Sequence, residues 1–184
     1  MDSNTNQSNL TFENYAQNEN NRFAYIAAKS IAFSPIPKIT DDSNFNIYNP
    51  LYIYGEAHLG KTHLLNAIYN EIKKRFPDLN VLYVTAEQFA THFICASQSK
   101  TLYAFCKKYR ENIDVFLVDD IQFISKKPTV EVEFFDTFNL LISNGKQIVI
   151  TADRHPKYIP SISEELKSLL ENGLLADIKH YENI

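Results

Sequence analysis

Short apolar runs rich in β-branched and aromatic residues recur along the chain after Pro50, and amphipathic segments separate them. Because no polar residue interrupts these runs, they predict strands that are buried on both faces of a sheet. The alternation of such strands with helical segments predicts an α/β fold with a parallel sheet and right-handed crossovers. The predicted strands are Leu51–Tyr54, Val81–Val84, Val115–Val118, Gln147–Thr151 and, at the end, Leu174–Ile178.

The segments between the predicted strands carry apolar residues at helical spacing. Leu64, Ile68 and Ile72 recur every fourth residue in the first of these segments. The connection from Thr85 to Glu111 is long enough for two helices, one more than a simple crossover needs. Phe89, Phe93 and Phe105 mark that connection, and Phe134, Phe138 and Leu141 mark the next helix, which Gly145 is expected to terminate.

The residues before Pro50 follow a different pattern. Residues 1–10 are polar and rich in Asn, which predicts a disordered tail ahead of one domain that spans residues 11–184. A helical pattern runs from Thr11 to Phe33, where two prolines end it, and the polar stretch Asp42–Asn46 predicts an exposed loop. The helical spacing predicts one shared face for Phe23, Ile26, Ala27, Ser30 and Ile31.

Composition narrows the class of protein. With 184 residues, of which 45% are apolar, the chain fits one domain with a sizeable core. A net charge of -4 excludes a wholly basic nucleic-acid binder, so any nucleic-acid contact needs a local basic patch. No apolar stretch approaches the roughly 20 residues of a membrane span. Cys95 and Cys106 lack metal-ligand or redox spacing, which favours free thiols in a soluble, cytoplasmic protein.

A sequence typical of phosphate binding lies between the first predicted strand and the helix that follows it. It fits the pattern G-x-x-x-x-G-K-[ST] in the required strand–loop–helix setting. In this pattern, backbone N–H groups receive phosphate oxygens, Lys61 reaches the outer phosphates, and the Thr62 hydroxyl joins Mg²⁺ coordination. The predicted nucleotide-binding residues of this loop are Gly55, Glu56, Ala57, His58, Leu59, Gly60, Lys61, Thr62 and His63.

Two residues of the loop are unusual for a phosphate site. Glu56 brings a carboxylate near the expected phosphates, which it repels unless it turns outward. His58 stands where glycine freedom helps the loop to turn, since a residue other than glycine is uncommon at positive φ. We therefore expect weaker nucleotide binding than an all-glycine loop gives.

Acidic residues follow the third and fourth predicted strands. Asp119 and Asp120 come at the end of an apolar strand, as expected for the partner of a phosphate loop. In that setting Asp119 holds Mg²⁺ through water, and Asp120 orients an attacking water. Asp153, after the next strand, adds a polar side chain to the same edge of the sheet, where open parallel sheets bind ligands.

Three motifs of the sequence carry a resemblance to a known family: Gly60-Lys61-Thr62-His63-Leu64-Leu65, Tyr83-Val84-Thr85-Ala86-Glu87 and Asp119-Asp120-Ile121-Gln122-Phe123. They resemble the AAA+ domain family of the bacterial chromosomal replication initiator DnaA, and the similarity runs from about Thr11 to Ile178. The resemblance implies a five-stranded parallel P-loop NTPase sheet with flanking helices and bound ATP or ADP with Mg²⁺. It also implies a catalytic sensor role for Asp153 and a position near the adenine for Asn18.

The same resemblance implies contacts with DNA and with other initiator subunits. A helical insertion at about residues 86–110 corresponds to the part of the family that holds single-stranded DNA, and Ile94 and Lys127 fall where family members touch it. Partner subunits are expected to be further copies of this chain or a full-length paralogue. A basic patch is one interpretation of the nearby cations, and solvated helix ends are the other: Lys107, Lys108, Arg110, Lys126 and Lys127.

Two departures from the family affect the expected activity. Glu165 and Leu169 occupy the two arginine positions of the segment that supplies the family's arginine finger, and the chain stops before the family's α-helical lid. We therefore expect an absent lid and negligible ATP hydrolysis by the chain alone. Two alternatives stay open: a nucleotide-independent interaction protein and a helicase-loader-like AAA+ ATPase. The motif Asp119–Phe123 favours the initiator over the loader.

Overall fold

The computed structural model of the protein describes residues 9–36 and 49–180. Within these residues, five parallel strands form one sheet in the order β2-β3-β4-β1-β5. The predicted α/β fold is therefore confirmed, and each strand agrees with its prediction to within one residue at its end. The strands are β1 (Leu51–Tyr54), β2 (Val81–Thr85), β3 (Val115–Asp119), β4 (Gln147–Ala152) and β5 (Leu174–Asp177).

Helices flank the sheet, and the long connection between β2 and β3 holds two of them, as predicted. Gly145 follows the end of the helix before β4 and has φ +66°. The N–H of Gly145 donates to the Ile142 carbonyl, and the N–H of Lys146 donates to the Leu141 carbonyl, both at 2.9 Å. The helices are α1 (Arg22–Phe33), α2 (Lys61–Arg75), α3 (Ala86–Gln98), α4 (Leu102–Arg110), α5 (Pro128–Ser143) and α6 (Glu164–Glu171).

The core lies on both faces of the sheet, because successive strand residues point to opposite faces. Leu117 and Val149 pack on the face that α1 and α2 cover. Phe116 and Ile150 pack on the opposite face, under α3 to α6. Every residue of the central strands β3 and β4 is buried, which explains why their sequences are almost uninterrupted apolar runs.

The first helix differs from its prediction in its start and in its buried face. Helix α1 begins at Arg22 rather than Thr11, because Asn side chains before it hydrogen-bond nearby backbone and favour turns. The predicted face is wrong for Phe23 and Ile26, which are 53% and 49% exposed, and for Ser30, which is also exposed. Small side chains face the core instead and allow α1 to pack directly against α2. The buried residues are Ala24, Ala27, Ala28, Ile31 and Ala32.

Some predictions fall wholly or partly outside the described residues. Residues 1–8 of the predicted tail and the predicted loop at Asp42–Asn46 lie there. The end of the predicted tail is described, and the Leu10 carbonyl accepts a hydrogen bond of 2.9 Å from the Asn70 side chain on α2. In the described parts of the chain, no helix combines the length and the apolar character needed to cross a bilayer.

Candidate nucleotide-binding site

The loop from β1 to α2 lies at the carboxyl edge of the sheet, and both of its predicted glycines are required by the packing. A Cβ on Gly55 would lie 2.3 Å from the Ile178 carbonyl oxygen. Gly60 has φ +89°, and a Cβ there would lie 2.9 Å from the ring of Tyr15. The chain therefore folds into this loop only with glycine at these positions.

Helix α2 begins directly after Gly60, and no side chain caps its N-terminus. The first backbone bond into the helix runs from the Leu64 N–H to the Gly60 carbonyl at 3.0 Å. Helix geometry thus leaves the N–H groups of Lys61, Thr62 and His63 without intrahelical partners. Together with the partial positive charge of a helix N-terminus, these groups form a ready site for an anion such as phosphate.

Lys61 is buried, and its ammonium group folds back over the loop. Its Nζ donates a hydrogen bond of 2.6 Å to the Glu56 carbonyl oxygen. Burial lowers the pKa of Lys61, and the carboxylates of Asp120, Asp119 and Asp153 partly oppose that shift. A phosphate oxygen is a stronger acceptor for this ammonium than a neutral carbonyl, so a bound phosphate competes favourably for it.

Two hydroxyl groups fix the buried carboxylate of Asp119. The Thr151 hydroxyl donates to its Oδ1, and the Tyr83 hydroxyl donates to its Oδ2 at 2.8 Å. Burial raises the pKa of Tyr83, so it remains a donor at neutral pH. Each carboxylate oxygen keeps a further acceptor position, which suits the predicted role of holding Mg²⁺ through water.

A glutamine connects the two acids that were predicted to be catalytic. Asp120 has φ +57°, and its Oδ1 accepts a hydrogen bond of 3.0 Å from Nε2 of Gln122. The Oε1 of the same Gln122 accepts a bond of 3.2 Å from the N–H of Asp153. The carboxylate of Asp153 is itself held by Arg154, through bonds of 2.9 and 2.6 Å.

Sequence reasoning gave no role to Tyr83 and Gln122, and it noted Thr151 only as a residue of the strand end. The sequence did contain one usable signal, because polar side chains at the carboxyl ends of neighbouring parallel strands meet at one edge. In the register of the sheet, Thr85 is level with Asp119, and Val118 with Ile150. Which hydroxyl reaches which carboxylate depends on side-chain geometry that the pattern does not contain.

The two unusual loop residues behave differently. Glu56 turns outward, with its side chain 76% exposed and its Oε2 2.9 Å from Nε2 of His180, so the expected repulsion of phosphate is relieved. His58 adopts φ +65°, the conformation that the sequence predicted would favour glycine. Of the two residues, His58 is therefore the one whose backbone conformation disfavours this shape of the loop.

Among the residues that the structure describes, two cavities border the loop. The larger, of about 870 Å³, lies beside Tyr54, Glu56 and Asp153, and the smaller, of about 380 Å³, lies beside Gly60. Asn18, which the resemblance associated with the adenine, lines the smaller cavity, but its Oδ1 accepts from the N–H groups of Asn20 and Asn21. The smaller cavity is lined by Tyr15, Ala16, Asn18, Asn21, His58, Leu59, Gly60, His63, Ile178, Lys179 and His180.

The predicted DNA-binding residues lie away from this loop. Ile94 is 42% exposed on α3, which packs against the 3₁₀ turn just before Lys126. Lys126 is exposed, whereas the Nζ of Lys127 donates 2.8 Å to the Phe123 carbonyl. Arg110, from the suggested basic patch, is paired with Glu133 and also donates to Thr137, so it is not available to phosphates.

The two residues that the resemblance associates with arginine positions, Glu165 and Leu169, lie on α6. Leu169 is half-buried and packs against the core. Glu165 is exposed and borders a cavity of about 370 Å³, together with Val132 and Phe135. Neither side chain can present a cation to a neighbouring subunit.

The fold and the loop define the class of protein: a parallel five-stranded sheet with a G-x-x-x-x-G-K-[ST] loop after β1 and paired acids after β3 is a P-loop NTPase core of the AAA+ type. Comparison with known families matches residues 6–177 to the bacterial DnaA ATPase domain. The chain therefore belongs to the family of bacterial DnaA ATPase domains.

Individual relatives agree with this assignment. The chromosomal replication initiator protein DnaA of Nautilia profundicola is 47% identical over 169 residues, which is 92% of this chain and 36% of that protein. The chain thus spans 36% of the length of this curated relative. Among solved structures, domain III of Thermotoga maritima DnaA superimposes with a TM-score of 0.84 at 41% identity, covering 92% of this chain and 66% of the other.

A second solved structure, a replication initiator DnaA bound to AMPPCP and single-stranded DNA, has a TM-score of 0.84 at 37% identity, covering 94% of this chain and 50% of the other. A DnaC helicase loader reaches 0.71 at only 15% identity, covering 95% of this chain and 99% of that one, and shares the fold alone.

Proposed function

We propose that this chain binds ATP or ADP with Mg²⁺ through the loop Gly55–Thr62 and acts in the initiation of chromosomal replication as a DnaA-type domain. The observation that carries the proposal is the uncapped N-terminus of α2, which directly follows the loop and lies beside the ammonium group of Lys61. The related DnaA structure with bound AMPPCP supports the choice of an adenine nucleotide. The proposed role implies a cytoplasmic location.

The predicted residues of the loop and of the strand ends have separate roles in this proposal. Backbone N–H groups of the loop and of α2 bind the phosphates, and Lys61 neutralises the outer ones. The exposed Thr62 hydroxyl and, through water, Asp119 would hold Mg²⁺, which supplies positive charge to the phosphate oxygens. Asp120 and Asp153, linked through Gln122, position a water near the terminal phosphate.

Calorimetric titration of ATP and ADP, with Mg²⁺, tests the nucleotide proposal. We expect Lys61→Ala to weaken binding by about 100-fold, because a charge-assisted hydrogen bond contributes roughly 1.5–3 kcal/mol. Lys74→Ala is the matched control, since Lys74 is an exposed lysine at the far end of the same helix. If the wild-type chain binds no nucleotide, the nucleotide-independent alternative is correct. If it binds nucleotide no better than Lys61→Ala does, this loop is not the binding site and the proposal is wrong.

Single-stranded DNA is a second proposed ligand. Ile94 is exposed on α3, and Lys126 is exposed just after the 3₁₀ turn that packs against α3. A related initiator has been solved with single-stranded DNA. Because few cations are available, we expect micromolar binding at best, with a salt dependence that Lys126→Ala reduces by about 0.7 in slope. Fluorescence anisotropy of a labelled oligonucleotide at several salt concentrations measures both. Tight binding that ignores salt would contradict this proposal.

Other initiator subunits are the proposed protein partners. An arginine finger supplied by a neighbour accelerates related phosphoryl transfer by about 10³–10⁵, and neither Glu165 nor Leu169 carries a positive charge. We therefore propose that the chain alone hydrolyses ATP negligibly, while its loop accepts an intact initiator subunit and limits further assembly. Adding the chain to a full-length initiator should reduce its assembly and origin unwinding. Unchanged unwinding, or multiple-turnover hydrolysis by the chain alone, would disprove this idea.

A further inference from the structure

The hydroxyl group of Tyr15 stands apart from the other polar atoms near the phosphate loop. Tyr15 is only 9% exposed, and its ring lies directly over Gly60. Within residues 9–36 and 49–180, its hydroxyl is the buried side-chain polar atom that has no hydrogen-bond partner. Buried polar groups in native proteins are nearly always paired, so an unpaired hydroxyl at the edge of a cavity calls for an explanation.

The aromatic neighbours of Tyr15 hold the hydroxyl in one place. Its ring stacks on that of Tyr25, with centroids 5.8 Å apart and an interplanar angle of 22°. It also meets the His63 ring edge-on at 5.1 Å. Because burial raises the pKa of Tyr15 to about 12, the group is a neutral phenol and keeps its proton at neutral pH. A fixed, protonated phenol can donate one hydrogen bond and accept another.

Three other polar side chains of the smaller cavity already have partners within the chain. Asn18 accepts from backbone N–H groups, as described above. Asn21 donates to the Ala16 carbonyl at 3.0 Å. The Nε2 of His63 lies 2.8 Å from the Thr11 carbonyl oxygen. Among the buried side-chain polar atoms that the structure describes, the Tyr15 hydroxyl is therefore the one that is left for a ligand.

We propose that the Tyr15 hydroxyl hydrogen-bonds to the nucleoside part of the nucleotide whose phosphates bind at the N-terminus of α2. This inference rests on the proposed function. The phosphates are served by the backbone N–H groups of α2 and by Lys61, whereas Tyr15 and Gly60 line the adjoining cavity of about 380 Å³. That volume is within the range of roughly 300–1,000 Å³ that small-molecule sites occupy.

The variant Tyr15→Phe tests this inference, because it removes the hydroxyl and keeps the ring that packs on Gly60. We expect it to weaken ATP binding by about 5- to 10-fold, which corresponds to about 1–1.4 kcal/mol. Binding of inorganic tripolyphosphate, which has no nucleoside, should stay unchanged. Tyr25→Phe is the matched control, because its hydroxyl, 3.5 Å from Nζ of Lys29, lies outside the cavity and its loss should leave both affinities unchanged.

Stability of the ligand-free chain provides a second readout. If the hydroxyl has no partner in the protein, Tyr15→Phe should melt at the same temperature as the wild type or higher, since leaving a buried hydroxyl unpaired is unfavourable. A lower melting temperature would mean that the hydroxyl bonds within the protein, and the inference would be overturned.

A measurement on the wild-type chain avoids reliance on the variant. With ¹³Cζ-labelled tyrosine, the Tyr15 resonance should move on addition of ATP and stay in place with tripolyphosphate. Equal ATP affinity in wild type and Tyr15→Phe, alongside a loss in Lys61→Ala, overturns the role of Tyr15 and leaves the proposed function intact. Equal losses for ATP and tripolyphosphate also overturn it, because the hydroxyl then acts on the loop. Absence of any ATP binding overturns the proposed function itself.

Discussion

Helices α2 and α3 begin at the same edge of the sheet, each just beyond the end of a parallel strand, yet their first turns differ. In α3 the Thr85 hydroxyl accepts from the Gln88 N–H at 3.1 Å, and the Gln88 side chain accepts from the Thr85 N–H at 3.0 Å. This reciprocal capping box satisfies donors within the chain. The N-cap residue of α2 is Gly60, which has no side chain that could accept such a bond. The N-terminus of α3 is thus capped by its own side chains, and we call α3 the closed helix. The N-terminus of α2 has no side-chain cap, and we call α2 the open helix, because its N–H groups are accessible to a ligand in the proposed site.

The largest effect on ATP binding is expected from replacing the N-cap glycine of the open helix. Gly60→Ala adds a Cβ at φ +89° and at 2.9 Å from the Tyr15 ring, so the loop must move. We expect ATP binding to weaken by more than about 100-fold and the free energy of unfolding to fall by about 2 kcal/mol. Calorimetry and urea denaturation measure the two effects. Retained affinity in a folded Gly60→Ala protein would show that the shape of this loop is not what binds nucleotide.

A pH titration sharpens the comparison, because only α2 carries a buried lysine at its start. In the proposed site the protonated form of Lys61 binds phosphate, and burial lowers the pKa of Lys61 below the ordinary value of 10.5. ATP affinity should therefore decrease as pH rises, beginning below that value and falling by about tenfold or more once the ammonium is lost. In Lys61→Arg the affinity should be flat over the same range, since an arginine stays charged. Identical pH profiles in both proteins would exclude Lys61 as the titrating group.

The closed helix is expected to respond in stability alone. Thr85→Ala removes the cap of α3 and should lower the free energy of unfolding by about 1 kcal/mol. Because those donors are not used for ligand, ATP affinity should be unchanged. Urea denaturation and calorimetry on the same preparation separate the two quantities. A weaker ATP affinity in Thr85→Ala would break the distinction between the helices.

The smallest effect concerns the strained residue of the open loop. His58→Gly relieves a left-handed conformation and should stabilise the chain by somewhat less than about 1 kcal/mol, with a gain in ATP affinity below about tenfold. Glu56→Gly is the contrast, because Glu56 already points outward and its removal should change ATP affinity little. If Glu56→Gly gives the larger gain in affinity, repulsion by its carboxylate persists in the folded loop.

The parts of the molecule that the sequence predicted well depend on local pattern. The strands followed from uninterrupted apolar runs such as Phe116–Val118, because a strand covered on both faces admits few polar residues. The loop followed from the spacing of Gly55, Gly60 and Lys61, which is set by backbone geometry. The position of Asp119 at a strand end followed from the apolar run, because the run stops where the paired acids begin.

The parts that escaped prediction depend on packing and on side-chain direction. The buried face of α1 was missed because alanines such as Ala28 form it, while large residues such as Phe23 are exposed. The hydrogen bonds of Tyr83 and Gln122 to the acids could not be predicted, because they join residues from separate strands and turns. The unpaired hydroxyl of Tyr15 likewise depends on where its ring lies over Gly60.

Backbone amide NMR of the wild-type chain, titrated with Mg²⁺-ATP, tests most directly whether α2 is the open helix. We expect the N–H resonances of Gly60, Lys61 and Thr62 to move as ATP saturates the site. The N–H resonances of Glu87 and Gln88 should stay in place, because the cap of α3 already occupies that first turn. Unmoved signals at the start of α2, or equal shifts at the start of α3, would contradict nucleotide binding at this loop.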